Sequence, residues 1–151
     1  MKIKTLSLEN YRNIENLKVK FDNVNIIWGE NAQGKTNLIE GLYLFFFFLS
    51  FRGVKDSQLV KFNCSNSRLK IEFESNNRVQ NAEILIDTKR SASLNGIKKN
   101  SPARLGEEIK AVVFSPVHLS MVKDGPVERR KFVDTALCQL KSNYRNLLKE
   151  Y

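Results

Sequence analysis

Gly29-Glu30-Asn31-Ala32-Gln33-Gly34-Lys35-Thr36 fits the pattern Gly-x-x-x-x-Gly-Lys-Ser/Thr at every fixed position. Given ordinary residue frequencies, a chance match is expected in on the order of one in a few hundred chains of this length. The chemistry explains the spacing. Glycines let the backbone curl so that successive N–H groups point inward at a phosphate. A helix that starts at the end of such a loop adds its unpaired N–H groups and the positive end of its dipole. Lys35 is spaced to reach the β- and γ-phosphates of a nucleoside triphosphate, and the Thr36 hydroxyl to ligate Mg²⁺. The context agrees. Before the loop, Val24-Asn25-Ile26-Ile27-Trp28 is nearly all apolar and predicts a strand buried on both faces. After it, Lys35 to Leu49 contains no Pro and only Gly41 as a weak residue, which predicts a helix. The run Phe45 to Phe48 covers every side of that helix and places it in the core.

Outward from this unit, Ile3 to Leu8 and Leu17 to Phe21 alternate apolar and polar residues, as half-buried strands do. Tyr11-Arg12-Asn13 and Asp22-Asn23 are turn signals. In the middle, Arg68 to Phe73 and Val79 to Ile86 read as strands joined by Ser75-Asn76-Asn77, with Asp87-Thr88-Lys89 as the next turn. Asn95-Gly96 is a hairpin turn signal, because both residues tolerate positive φ. Ala111 to Phe114 reads as another buried strand, stopped by Ser115-Pro116. From Pro126 a helix is expected, with Val133, Leu137, Leu140, Tyr144, Leu147 and Tyr151 on a heptad stripe. The expected fold is therefore α/β, a P-loop NTPase with a mixed sheet, an antiparallel patch and the start of a helical or coiled-coil lobe. Residues 1–122 form the nucleotide-binding lobe in this division, and 123–151 open the helical one.

Composition narrows the class. The chain has 151 residues, 42% of them hydrophobic and 27% charged, as expected for one globular domain. Its longest apolar run, Leu42 to Leu49, is far shorter than the roughly 18–20 residues that cross a bilayer. No membrane association and a cytoplasmic location are expected. The two cysteines, Cys64 and Cys138, are far apart and suggest neither a zinc site nor a disulfide framework. A formal charge of +9 favours a polyanionic partner such as DNA. Hydrolysis of a nucleotide requires an acidic residue at the end of a core strand. Asp87 instead opens a turn, the strand ending at Phe114 is followed by Ser115, and Asp134 falls in a helix, spaced to pair with Arg130. The chain is expected to bind ATP without turning it over.

Two stretches together resemble the RecF family. The first is Leu8-Glu9-Asn10-Tyr11-Arg12-Asn13-Ile14 followed by the loop from Gly29 to Asn37. The second is Phe114-Ser115-Pro116 with Val122-Lys123-Asp124-Gly125-Pro126-Val127-Glu128-Arg129-Arg130-Lys131-Phe132-Val133-Asp134. The resemblance implies the SMC-like branch of the ABC ATPases, slow DNA-dependent ATPases of DNA replication and of the repair of damaged DNA. It implies ATP and Mg²⁺ as cofactors and an ATP-dependent homodimer on gapped or junction DNA, working with other recombination mediators. It places Gly29, Glu30, Asn31, Ala32, Gln33, Gly34, Lys35, Thr36, Asn37, Arg12 and Asn13 at the nucleotide. It makes Arg52, Lys55, Arg129 and Arg130 candidate DNA contacts. In this family the signature Ser motif and the acidic pair follow the helical lobe, so the chain resembles the N-terminal part of a longer protein. Leu49, Val117 and His118 depart from the family pattern. The competing expectation is a stand-alone nucleotide-binding module, or another ABC-type fragment, whose basic charge serves protein contacts.

Overall fold

A computed structural model describes residues 1–99, 105, 109–114, 125–141, 144, 147 and 148, with the backbone alone for 128 and 131. Its framework is a sheet. Strands β1 (Lys2–Tyr11), β2 (Ile14–Lys20), β3 (Ser67–Ser75), β4 (Arg78–Ile86), β5 (Arg90–Leu94) and β6 (Ile97–Lys98) pair in the order β2-β1-β3-β4-β5-β6. Every pairing is antiparallel. Alternation in sequence becomes two faces through the register. Leu6 lies opposite Ile71, which faces Ala82, which faces Leu94, and Leu8, Leu69, Ile84 and Ala92 form the next row. These residues are buried. The intervening row, Lys18, Ser7, Lys70, Glu83 and Ser93, is polar and forms the opposite face.

The turns follow the sequence signals. Asn76 and Asn77 have φ of 51° and 58°, and Asn95 and Gly96 have 51° and 78°, so both hairpins close through left-handed residues. Asp87 lies between β4 and β5, where its carboxylate accepts the Lys89 N–H at 2.8 Å. It is a turn residue, as its sequence context predicts.

Helix α1 (Lys35–Phe47) covers the apolar face. It packs tightly on the sheet at Gly41, where a Cβ would stand 2.9 Å from Leu8 Cδ2 and 3.7 Å from Leu69 Cδ2. Phe45 to Phe48 are all buried, as the all-round apolar pattern requires. The helix stops at Phe48, which turns left-handed at φ 57° and returns its N–H to the Leu44 carbonyl. Arg90, from β5, donates to the Phe48 carbonyl at 2.5 Å and forms a two-pronged pair with Asp56 in the short 3-10 turn Asp56–Gln58. The loop between α1 and β3 is thereby tied to the sheet.

Three expectations need correction. Val24 to Trp28 forms no strand, and Val24, Ile26 and Trp28 are 81%, 85% and 88% exposed. Ala111 to Phe114 likewise forms no strand, with Val112 and Phe114 almost wholly exposed. Both segments are apolar enough for a core strand, yet among the described residues no neighbouring strand pairs with them, and an extended segment becomes a strand only by pairing. Third, the heptad stripe does not ride one unbroken helix. Helix α2 (Pro126–Leu140) ends at Lys141, whose backbone is extended, and Tyr144 folds back to donate to Asp134 at 2.7 Å. Asp134 thus takes Tyr144 and not Arg130. Tyr151 and the stretch 115–124, with Val117 and His118, lie outside the described residues.

Candidate nucleotide-binding site

The loop from Gly29 to Gly34 joins the extended segment to α1 through three left-handed residues, Gly29 (φ 147°), Ala32 (66°) and Gly34 (92°). Space as well as φ restricts Gly29, because a Cβ there would meet Gln33 Oε1 at 2.7 Å. Gly34 is the N-cap of α1, no side chain caps the helix, and its first turn carries no acidic residue. The N–H groups and positive dipole end of α1 are therefore free to meet an anion. Asn31, Ala32, Gly34, Lys35, Thr36, Asn37 and Arg52 line a concavity of about 330 Å³ at this point. Two of its lining residues are cations and none is an acid. Lys35 Nζ donates to the carbonyls of Gly29 and Glu30, a hold that spans the loop.

The turn between β1 and β2 stands against this loop. Asn13 Oδ1 would lie 3.3 Å from a Cβ on Gly34 and accepts Asn37 Nδ2 at 2.7 Å. Arg12, at φ 56°, sends its side chain to Glu40 of α1. Arg12, Asn13, Asn37, Arg52, Gln58, Val60, Lys61 and Phe62 line a second, more open groove of about 650 Å³. Asn37 and Arg52 belong to both concavities. The concavity at the helix start thus continues into a groove with amide, guanidinium and apolar walls, a shape that suits a nucleotide with a polar tail and a flat base.

The structure brings Arg12, Asn13, Gly29 to Asn37 and Arg52 into one region. Arg52, taken from sequence as a DNA contact, stands at the cradle and donates to Asn37 Oδ1 at 2.9 Å. Lys55 is exposed at the start of the 3-10 turn, and Arg129 and Arg130 are exposed on α2. None of those three lines either groove.

Sequence reasoning missed Glu40. It is the only acid of α1, fully buried, and it accepts Arg12 Nε and Nη2 at 3.0 Å each and Ser50 Oγ at 2.5 Å. Arg52 Nη1 approaches it at 3.6 Å. Burial alone would raise the Glu40 pKa, but the hydrogen bonds from Arg12 and Ser50 and the charges of Arg12 and Arg52 outweigh it, and the pKa falls below its ordinary value. On Arg12, burial opposes the charge and Glu40 overcomes it, so the guanidinium is held still more firmly protonated. Burial, and then the Glu40 charge, pushes the neighbouring Tyr11 hydroxyl well above its usual range. The signal for Glu40 was a single carboxylate in the apolar part of the helix, one turn beyond Thr36.

A glycine-bounded loop feeding an uncapped helix beside two cations is the arrangement that defines the P-loop ATPases as a class. The chain belongs to the AAA ATPase domain family, whose family model matches residues 1–144. Within that class it resembles RecF along its whole length. The DNA replication and repair protein RecF of Clostridium perfringens is 40% identical over 154 aligned residues, covering 100% of this chain and 43% of the relative. The RecF of Clostridioides difficile is 37% identical, covering 100% of this chain and 41% of the relative. Among solved structures, the recombination mediator protein RecF with ATPrS superposes with a TM-score of 0.91 at 32% identity, over 97% of this chain and 40% of that one. The SMC head domain from Thermotoga maritima shares the fold at a TM-score of 0.53 and 20% identity, over 66% of this chain and 39% of that one. The chain therefore spans less than half the length of these RecF relatives. Among the described residues no helix is long and apolar enough to cross a membrane.

Proposed function

We propose that this chain is the nucleotide-binding N-terminal part of a RecF-type ATPase that acts on DNA in replication and repair, in the cytoplasm. The observation that carries the reading is the acid-free cradle at the start of α1, with Lys35 and Arg52 among its lining residues. ATP fits it. Lys35 would exchange the Gly29 and Glu30 carbonyls for the β- and γ-phosphate oxygens, and the exposed Thr36 hydroxyl would hold Mg²⁺. Arg12 and Asn13 stand where they can line the nucleoside half of the ligand. The similarity to a RecF structure with ATPrS supports this choice of ligand.

The wider activity follows from the same kinship. The apolar, exposed Val24, Ile26 and Trp28 support a reading in which further chain pairs with this segment and completes the sheet. A Walker B acidic pair and a signature motif would come with that chain, and α2 would open the helical lobe. ATP would then close two copies on gapped or junction DNA alongside other recombination mediators, with Lys55, Arg129 and Arg130 as candidate phosphate contacts. The test is retention of a fluorescent gapped duplex by the full-length protein at fixed salt. Binding that needs ATP and disappears in Lys35→Ala is expected. Binding indifferent to both ATP and Lys35 would contradict the reading.

A further inference from the structure

A buried carboxylate beside a phosphate site needs a reason, because it repels the ligand and is costly to desolvate. Glu40 is fully buried, and its lone pairs are taken up by Arg12, Ser50 and, at longer range, Arg52. Each of these contacts leads to the nucleotide region. Arg12 is held by both carboxylate oxygens and also donates Nη1 to the Gln58 carbonyl at 3.0 Å, which locks its planar fork among the residues lining the open groove. Ser50 Oγ donates to Glu40 and in turn accepts the Arg52 backbone N–H at 3.0 Å, so the carboxylate also fixes where the segment carrying Arg52 leaves the core. The Arg52 side chain is more loosely tied, to Asn37 at 2.9 Å and Glu40 at 3.6 Å, and is 38% exposed beside the cradle.

We propose that Glu40 is a positioning residue of the nucleotide site: it sets the guanidinium groups of Arg12 and Arg52 in the groove they share with Asn37 and so controls nucleotide affinity without touching the ligand. Its carboxylate neutralises Arg12 rigidly and Arg52 partly, leaving Arg52 as the cation that a phosphate can draw away. The proposal rests on the P-loop reading above and adds to it a residue outside the loop.

The test is titration of Mg-ATP into the chain and into Glu40→Gln, Arg12→Gln and the double variant, with Lys35→Ala as reference. Glutamine keeps the size of the side chain and removes its charge. Glu40→Gln is expected to stay folded and to weaken binding by about tenfold, the size of one lost charge-assisted hydrogen bond. Arg12→Gln should cost a similar factor, and the double variant little more than either alone, as coupled partners do. Unchanged affinity in a folded Glu40→Gln, or losses that multiply, would make Glu40 merely structural and overturn the proposal while the P-loop reading stands. Binding insensitive to Lys35→Ala would overturn both. If Glu40→Gln fails to fold, Ser50→Ala reads the same coupling. A twofold to fivefold loss, absent once Arg52 is also changed to Gln, supports it, and no loss overturns it.

Discussion

Arg12, Asn13, Asn37, Glu40, Ser50 and Arg52 behave as one group although they are scattered over the first third of the chain. Lys35 and Thr36 could be read without a structure because the chemistry of a phosphate loop is encoded in local spacing. Glu40 could not, since its partner Arg12 is 28 positions away and only the packing of α1 on β1 brings them together. The pH behaviour belongs to this scale. The Glu40 pKa is depressed in the folded chain, so the group contributes stability that is complete above its ordinary value of 4.5 and drains as the pH falls through the lower folded value. The stability gap between the wild-type chain and Glu40→Gln should therefore shrink as the pH is lowered past 4.5, as read from urea midpoints. A gap that stays constant or widens there would contradict the assigned ion pair.

Among the elements, those that depend on their own residues were legible and those that depend on a neighbour were not. The Asn76-Asn77 and Asn95-Gly96 turns fix their hairpins through backbone angles that few other residues accept, and period-two alternation marked which face of β3 and β4 is buried. The four-phenylalanine end of α1 announced its own burial. Val24 to Trp28 and Ala111 to Phe114 carry the composition of core strands, but composition supplies no pairing partner. The heptad stripe likewise promised a helix longer than α2, which ends where Lys141 turns extended and Tyr144 donates to the Asp134 carboxylate. The loop between α1 and β3 depends on Arg90, whose side chain is 11% exposed and holds both Asp56 and the Phe48 carbonyl. Arg90→Ala should cost about 1.5–3 kcal/mol by denaturant unfolding, the range for hydrogen bonds to a charged group. A change below about 0.5 kcal/mol would show that the clamp does not hold this end of the helix.

For the molecule as a whole, the apolar segment leading into the P-loop lies open to water, a surface feature that signals association or completion by further chain. Trp28 is the only tryptophan, is 88% exposed and directly precedes Gly29. Its fluorescence in the isolated chain should match a water-exposed indole and be fully accessible to iodide. In the full-length protein it should shift to the blue and resist the quencher. A shielded Trp28 in the isolated chain would mean that the segment finds a partner within residues 1–151. The sequence could announce the loop motif and an antiparallel patch within an expected mixed sheet, but not this exposure, because burial is set by what packs against a segment. Whether the loop from Gly29 to Thr36 is a working phosphate cradle is tested most directly by a calorimetric titration of Mg-ATP into this chain and into Lys35→Ala. Saturable binding in the first and its loss in the second are expected. No binding to a folded wild-type chain, or equal binding by the two, would contradict the cradle assignment.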